Sequence, residues 1–155
     1  MKAIGYLPKA AFCEECAITS AWFTLLGPMA AGTLAADFWS PSLPLPEAAT
    51  FADKYARQLG GRNGDLSLLV SSYSAAKVLQ DALAAGRPTQ PDAINNVLAR
   101  TDKIYPIGPV RFMANHSAAI DAIVTQWGNG PDVQRIWPTD PPGAAPIQSP
   151  PAGLQ

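Results

Sequence analysis

Proline constrains this chain more than any other residue. Sixteen prolines stand among 155 residues, about twice the usual share. Each fixes φ and removes a backbone donor, so helix interiors and central strands must avoid them. Pro41, Pro44 and Pro46 force an extended connector from Ser40 to Pro46. From Pro138 onward the chain is again rich in proline and polar residues, and it reads as a disordered tail over 139–155. Regular structure must fit between these two stretches and ahead of the first.

Composition excludes several classes. Hydrophobic residues make up 48%, too many for a generally disordered protein. Only 15% of residues are charged, against about 25% in a typical soluble chain. Eleven Lys and Arg face twelve Asp and Glu, for a net charge of −1. That balance lacks the basic footprint of a nucleic-acid binder. The most apolar stretch, Ala17 to Ala36, is interrupted by Gly27, Pro28 and Gly32, so it reads as a helix, a turn and a strand, not a membrane span. The first residues, Met1 to Lys9, lack the apolar core of a signal peptide, with Pro8 and Lys9 breaking it early. As written, the chain is expected to stay in the cytoplasm.

The remaining pattern alternates strands and helices. Residues 2–7 read as a buried strand ending at Pro8, and a loop follows through Phe12. A helix is expected over Ile18 to Leu26, closing near Gly27, then a strand over Gly32 to Trp39. Pro46 suits the first position of the next helix, through Leu59, with Phe51, Tyr55 and Leu59 on one face and Gly60-Gly61 as its cap. Asp65 is a favourable N-cap for a longer helix to about Ala85. Its stripe holds Leu69, Tyr73, Ala76, Leu79 and Leu83, and small residues such as Ser71, Ser72, Ser74 and Ala75 allow close approach. A third helix begins at Pro91 and turns Ile94, Val97 and Leu98 inward. Strands follow at Val110 to Phe112, Ala119 to Trp127 and Val133 to Trp137. Gly128-Asn129-Gly130 between the last two is a hairpin signal.

Few residues suggest chemistry. Cys13 and Cys16 form a single C-x-x-C, which suits a redox pair, half of a zinc site, two unrelated thiols or an incidental disulfide. Zinc wants three or four ligands, and His116, the one histidine, is far along the chain in a turn. Glu14 and Glu15 read as a solvated face with no acid/base partner. There is no G-x-S-x-G elbow, phosphate loop or dinucleotide fingerprint, so neither a cofactor nor a metal is expected.

Several segments in order carry a resemblance. They are Gly32-Thr33-Leu34 leading to Phe38-Trp39-Ser40-Pro41, and Phe51-Ala52-Asp53-Lys54-Tyr55 on a helix. Ser72-Tyr73-Ser74-Ala75-Ala76-Lys77-Val78-Leu79 follows on the next helix. Then come Gly108-Pro109-Val110-Arg111-Phe112, Gln126-Trp127 and Ile136-Trp137-Pro138. Together they resemble the C-terminal portion of type I periplasmic solute-binding proteins of ABC transporters, in the leucine/isoleucine/valine-binding family. The resemblance spans residues 2–138. Met113-Ala114-Asn115-His116 departs from the acid and glycine usual there, and the C-x-x-C is also foreign to the family.

The resemblance implies an α/β fold: part of a two-lobed structure with three-layer α/β/α lobes, joined by crossing strands around an interlobe cleft. Residues 2–38 would close the second lobe, Trp39 to Pro46 cross the hinge, 47–112 complete the first lobe, and about 120–137 cross back. The family's role is non-enzymatic: capture of a small solute such as a branched-chain or apolar amino acid, an amide or an aromatic acid, for delivery to an ABC permease in the membrane. Site residues implied in this way are Tyr6, Lys9 and Phe12 on the loop after the first strand, Trp39 at the hinge, and Tyr73 on the long helix. The location implied is periplasmic or extracellular, in tension with the missing signal peptide. A missing N-terminal half is a further implied partner, without which the helices over 47–59 and 65–85 lack part of their cover. A cytoplasmic ligand sensor or interaction module reusing the same lobe is the alternative, and a C-x-x-C oxidoreductase a third.

Overall fold

The computed structural model describes Pro8 and residues 10–60, 65–85 and 90–149. The expected strand over 2–7 lies outside the described residues. The first helix among the described residues, α1 (Ser20–Leu26), ends as expected at Gly27: φ there is 56° and its N–H returns to the Phe23 carbonyl. A 3-10 turn over Gly27–Ala30 follows, with Pro28 in its first turn. Strand β1 is Leu34–Asp37, shorter than the expected Gly32 to Trp39. Trp39 and Ser40 already belong to the connector, where Pro41 starts to exclude ladder pairing.

Helix α2 (Ala48–Leu59) starts later than the prolines suggest. Glu47, not Pro46, precedes its first turn, in the left-handed conformation at φ 63°. Gly60 terminates α2 at φ 62°, the conformation a C-terminal glycine supplies. Helix α3 (Leu66–Ala84) and helix α4 (Pro91–Leu98) begin where Asp65 and Pro91 place them. Asp65 caps differently from expectation. Its side chain makes no bond to its own helix and instead accepts the Ser20 N–H at 2.9 Å, tying α1 to the start of α3.

The strands pair as two small sheets. Strands β2 (Asp102–Tyr105) and β3 (Gly108–Arg111) form an antiparallel hairpin. The sequence reading missed β2, whose three exposed residues before Tyr105 give no apolar run. The expected last hairpin is present as β4 (Ile123–Trp127) and β5 (Val133–Trp137). Residues 119–122 lie outside β4, which shortens the expected strand. β4 also pairs antiparallel with β1, so the sheet order is β1-β4-β5. On the outer side of β1, Leu34 exchanges backbone bonds with Ala11 and Cys13 in a parallel bridge. A disulfide joins Cys13 to Cys16 in that segment.

Two hydrophobic clusters result. The first gathers Trp39, Leu66, Val70, Val78, Tyr105 and Val110, covered by α2, α3 and the β2–β3 hairpin. The second gathers Ala17, Ile18, Ala30, Ala35 and Trp127 around β1 and β4. Phe38 packs against both, at the point where the chain crosses from one to the other. Polar groups inside are mostly used. The Trp127 indole donates to the Ala17 carbonyl at 2.7 Å, the Trp39 indole to Pro106 at 2.9 Å, and the Ser74 hydroxyl accepts the Ile107 N–H at 3.1 Å. Those three bonds explain why polar atoms stand in apolar positions: each satisfies a backbone group that a turn leaves unpaired.

The tail expected over 139–155 is described as far as Ser149. Residues 138–149 have no helix or strand, as the prolines require, yet they are bound to the β4–β5 hairpin. The Arg135 guanidinium supplies the donors that proline lacks, by bonding to the carbonyls of Pro138, Pro141 and Pro142.

Candidate functional site

Three segments line a common cleft: the connector 38–45, the stretch 119–123 before β4, and the chain after β5 at 138–141. Where they meet they enclose a cleft of about 350 Å³, within the size range of small-ligand pockets. Phe38, Leu43, Leu45, Ile107, Ile120 and Pro138 give it apolar walls. Asp121 and Asp140 are the charged residues along it. The lining holds no Ser, Cys, His or Lys. Among the described residues no group of three His, Cys, Asp or Glu is placed to hold a metal ion.

The residues singled out from sequence fall in different places. Tyr6 and Lys9 lie outside the described residues. Phe12 is 61% exposed and sits beside Leu34, at the start of β1. Trp39 lies past the other end of β1, fully enclosed in the first cluster. Tyr73 is half-exposed on α3, its ring 5.5 Å from that of Phe51 with the Lys77 ammonium above it. Phe51 in turn meets Trp39 edge-on at 5.9 Å. The fold thus joins Trp39 and Tyr73 in one aromatic run through Phe51, and holds Phe12 apart from it.

Sequence reasoning passed over Asp37. This carboxylate ends β1 beside Phe38, buried, and accepts the Phe38 N–H at 2.7 Å. Burial pushes its pKa up, with the Ser67 hydroxyl and the Phe38 and Trp39 N–H groups partly offsetting that cost. An acid directly after the apolar Leu34-Ala35-Ala36 was the available signal, because a strand that ends inside the protein carries its last side chain inside with it. On the far side of the first cluster, Asp81 accepts hydrogen bonds from the Lys103 ammonium at 2.6 Å and the Tyr105 hydroxyl at 3.0 Å. Those bonds hold the Asp81 carboxyl below the usual range, while burial and the same carboxylate push Tyr105 up to about 12.

With that geometry in place, solved structures show which fold the chain shares. The leucine-binding protein LivK from Thermotoga maritima superposes with a TM-score of 0.75 at 19% identity, over 86% of this chain and 38% of that one. The branched-chain amino acid transporter substrate-binding protein LivJ from Streptococcus pneumoniae, solved with isoleucine, gives 0.65 at 15% identity, over 86% and 47%. A solute-binding protein of an R. palustris ABC transporter, solved with benzoate, gives 0.60 at 16% identity, over 71% and 30%. No family model and no curated protein matches the chain. The protein thus has the fold of part of a two-lobed type I solute-binding protein, as the order of its motifs implied. It spans well under half the length of most of these structures, 38% in the case of LivK.

Proposed function

We propose that this chain is the substrate-binding component of an ABC importer, or a portion of one, and that it captures a small solute without transforming it. The observation that carries the reading is the match in fold over 86% of the chain to a leucine-binding protein. The cleft between these segments supports it, since its size and largely apolar walls suit a small ligand with an apolar side. The solute class is a branched-chain or other apolar amino acid, an amide or an aromatic acid; similar structures hold leucine, isoleucine and benzoate, and the amide comes from the family resemblance. Its partner is a membrane permease. The Cys13–Cys16 disulfide supports a periplasmic or extracellular location, because such bonds persist in oxidising compartments. Among the described residues no helix is long and apolar enough to cross a membrane.

The test is thermal unfolding of the purified chain with leucine, isoleucine, valine, phenylalanine, benzoate and short amides. A ligand at a hundred times its Kd adds about 2.7 kcal/mol, a rise in Tm of roughly 5–10 °C for a domain of this size. A rise with one compound or one chemical class supports the proposal. An unchanged, sharp transition with every compound at millimolar concentration overturns it for this chain alone.

A further inference from the structure

We propose that the proline segment 138–149 is a latch across the segments that line the cleft, with Arg135 as its pin. Arg135 stands in the middle of β5 and is 2% exposed. A buried guanidinium is costly unless its donors are met. Here it forms no ion pair among the described residues. Its acceptors are all neutral and come from two separate stretches of chain. Nε donates to the Ser42 hydroxyl at 3.0 Å, in the connector. Nη1 donates to the Pro138 carbonyl, and Nη2 donates to Pro141 at 3.1 Å and Pro142 at 3.0 Å.

The rest of the segment fits this purpose. Gly143 turns at φ 105°, and a Cβ built there meets Arg135 Nη2 at 3.3 Å and the Ser42 carbonyl at 3.4 Å. After that turn the Ala145 N–H donates to the Arg135 carbonyl at 2.7 Å. Further on, the buried Gln126 side chain pairs with the Gln148 backbone in both directions, at 2.9 and 2.7 Å. Two buried polar side chains, one on β4 and one on β5, are thus spent on a segment that has no secondary structure of its own. The same segment lines the cleft through Pro138, Asp140 and Pro141, and the connector lines it through Leu43 and Leu45. By fixing both to one guanidinium, the latch sets the width of the cleft and couples the connector to the end of the chain. The inference rests on the fold and holds whatever solute the cleft takes.

The experiment is residue-resolved hydrogen exchange on the full chain without ligand. It follows the amides of Leu43, Ala145 and Gln148 against amides inside α3 and β4. Two variants release the pin differently. Arg135→Lys keeps the charge but loses the fork that reaches two stretches at once. Gly143→Val leaves the charge untouched and blocks the turn. The expected result is protection of all three amides in the parent. It falls about tenfold or more in either variant, as loss of a charge-assisted bond implies, with α3 and β4 unchanged. Unprotected Ala145 and Gln148 amides in the parent overturn the latch. So does loss confined to Ala145 and Gln148 with Leu43 unmoved, since the connector is then not coupled. If Arg135→Lys loosens the whole chain, Gly143→Val decides: selective release supports the latch, and release of every amide together shows a purely structural residue.

Discussion

Single residues show where this chain stores its electrostatic free energy. Tyr105 is raised to about 12 by burial and by the adjoining Asp81 carboxylate. Its neutral form is therefore favoured by folding. The stability it contributes is complete below the unfolded tyrosine value near 10 and is lost as pH rises from there to about 12. Spectroscopic titration of the four tyrosines should show Tyr105 ionising late, with Tyr55 also delayed by burial and the nearby Asp65 carboxylate, and Asp81→Asn should bring Tyr105 earlier. A titration in which all four ionise together would refute the hydrogen-bonded geometry. Asp37 is also an acid with a raised pKa, so the linkage has the same sign. Its cost is absent in acid and appears as pH rises from the unfolded carboxyl value through the folded one. Asp37→Asn keeps an acceptor for the Phe38 N–H and removes the charge. Its Tm near neutral pH should be no lower than the parent's, with a flatter dependence on pH in the acid range. A large loss at neutral pH would mean that the carboxylate itself is needed.

At the scale of elements, α3 is the informative case. Its buried side carries Leu66, Val70, Ser74, Val78 and Ala82, a period that packs it on the first cluster. On its outer side Leu68, Leu79 and Leu83 are between 41% and 47% exposed. The sequence stripe of Leu69, Tyr73, Ala76, Leu79 and Leu83 therefore misplaces the core face by a quarter turn or more. A helix that is apolar nearly all round has no single face for periodicity to find. The two sides should respond differently to substitution. Leu66→Ala should cost about 2–5 kcal/mol. Leu79→Lys should cost within about 0.5 kcal/mol and reduce self-association, since it breaks an exposed apolar stripe. Chemical denaturation and light scattering read the two effects. A severe loss on Leu79→Lys would show that this face is covered in the folded protein. The hairpin β4–β5 was legible because its Gly-Asn-Gly turn lies between two apolar runs, and β2 was not because Asp102 and Lys103 leave only Ile104 and Tyr105 as its apolar residues.

The whole molecule is two clusters joined at narrow crossings. Phe38 packs on both, and Ser20 and Asp65 add one hydrogen bond between α1 and the start of α3. Cooperative unfolding of the chain depends on those few contacts. Phe38→Ala should lower stability by about 2–3 kcal/mol, less than a fully buried phenylalanine because the ring is only partly buried. It should also turn one calorimetric transition into two. A single transition that merely shifts downward would place the coupling elsewhere, with the latch segment as the next contact to break.

The sequence by itself determined the order of elements, the helix starts at Asp65 and Pro91, the last hairpin and the likeness to solute-binding proteins. The elements depend on turns and local periodicity, which neighbouring residues settle among themselves, and the likeness depends on the order in which its segments follow one another. Only the tertiary structure decided that Trp39 is enclosed, that Asp37 ends its strand inside the protein, and that the proline segment through Ser149 is bound instead of loose. Each depends on partners far along the chain: Pro106 for the Trp39 indole, Ser67 for the Asp37 carboxylate, and Arg135 for carbonyls on a segment whose own prolines lack the N–H to pair with a strand. A local reading sees the missing donor, but a side chain from another strand can supply it only once the fold has brought the two together.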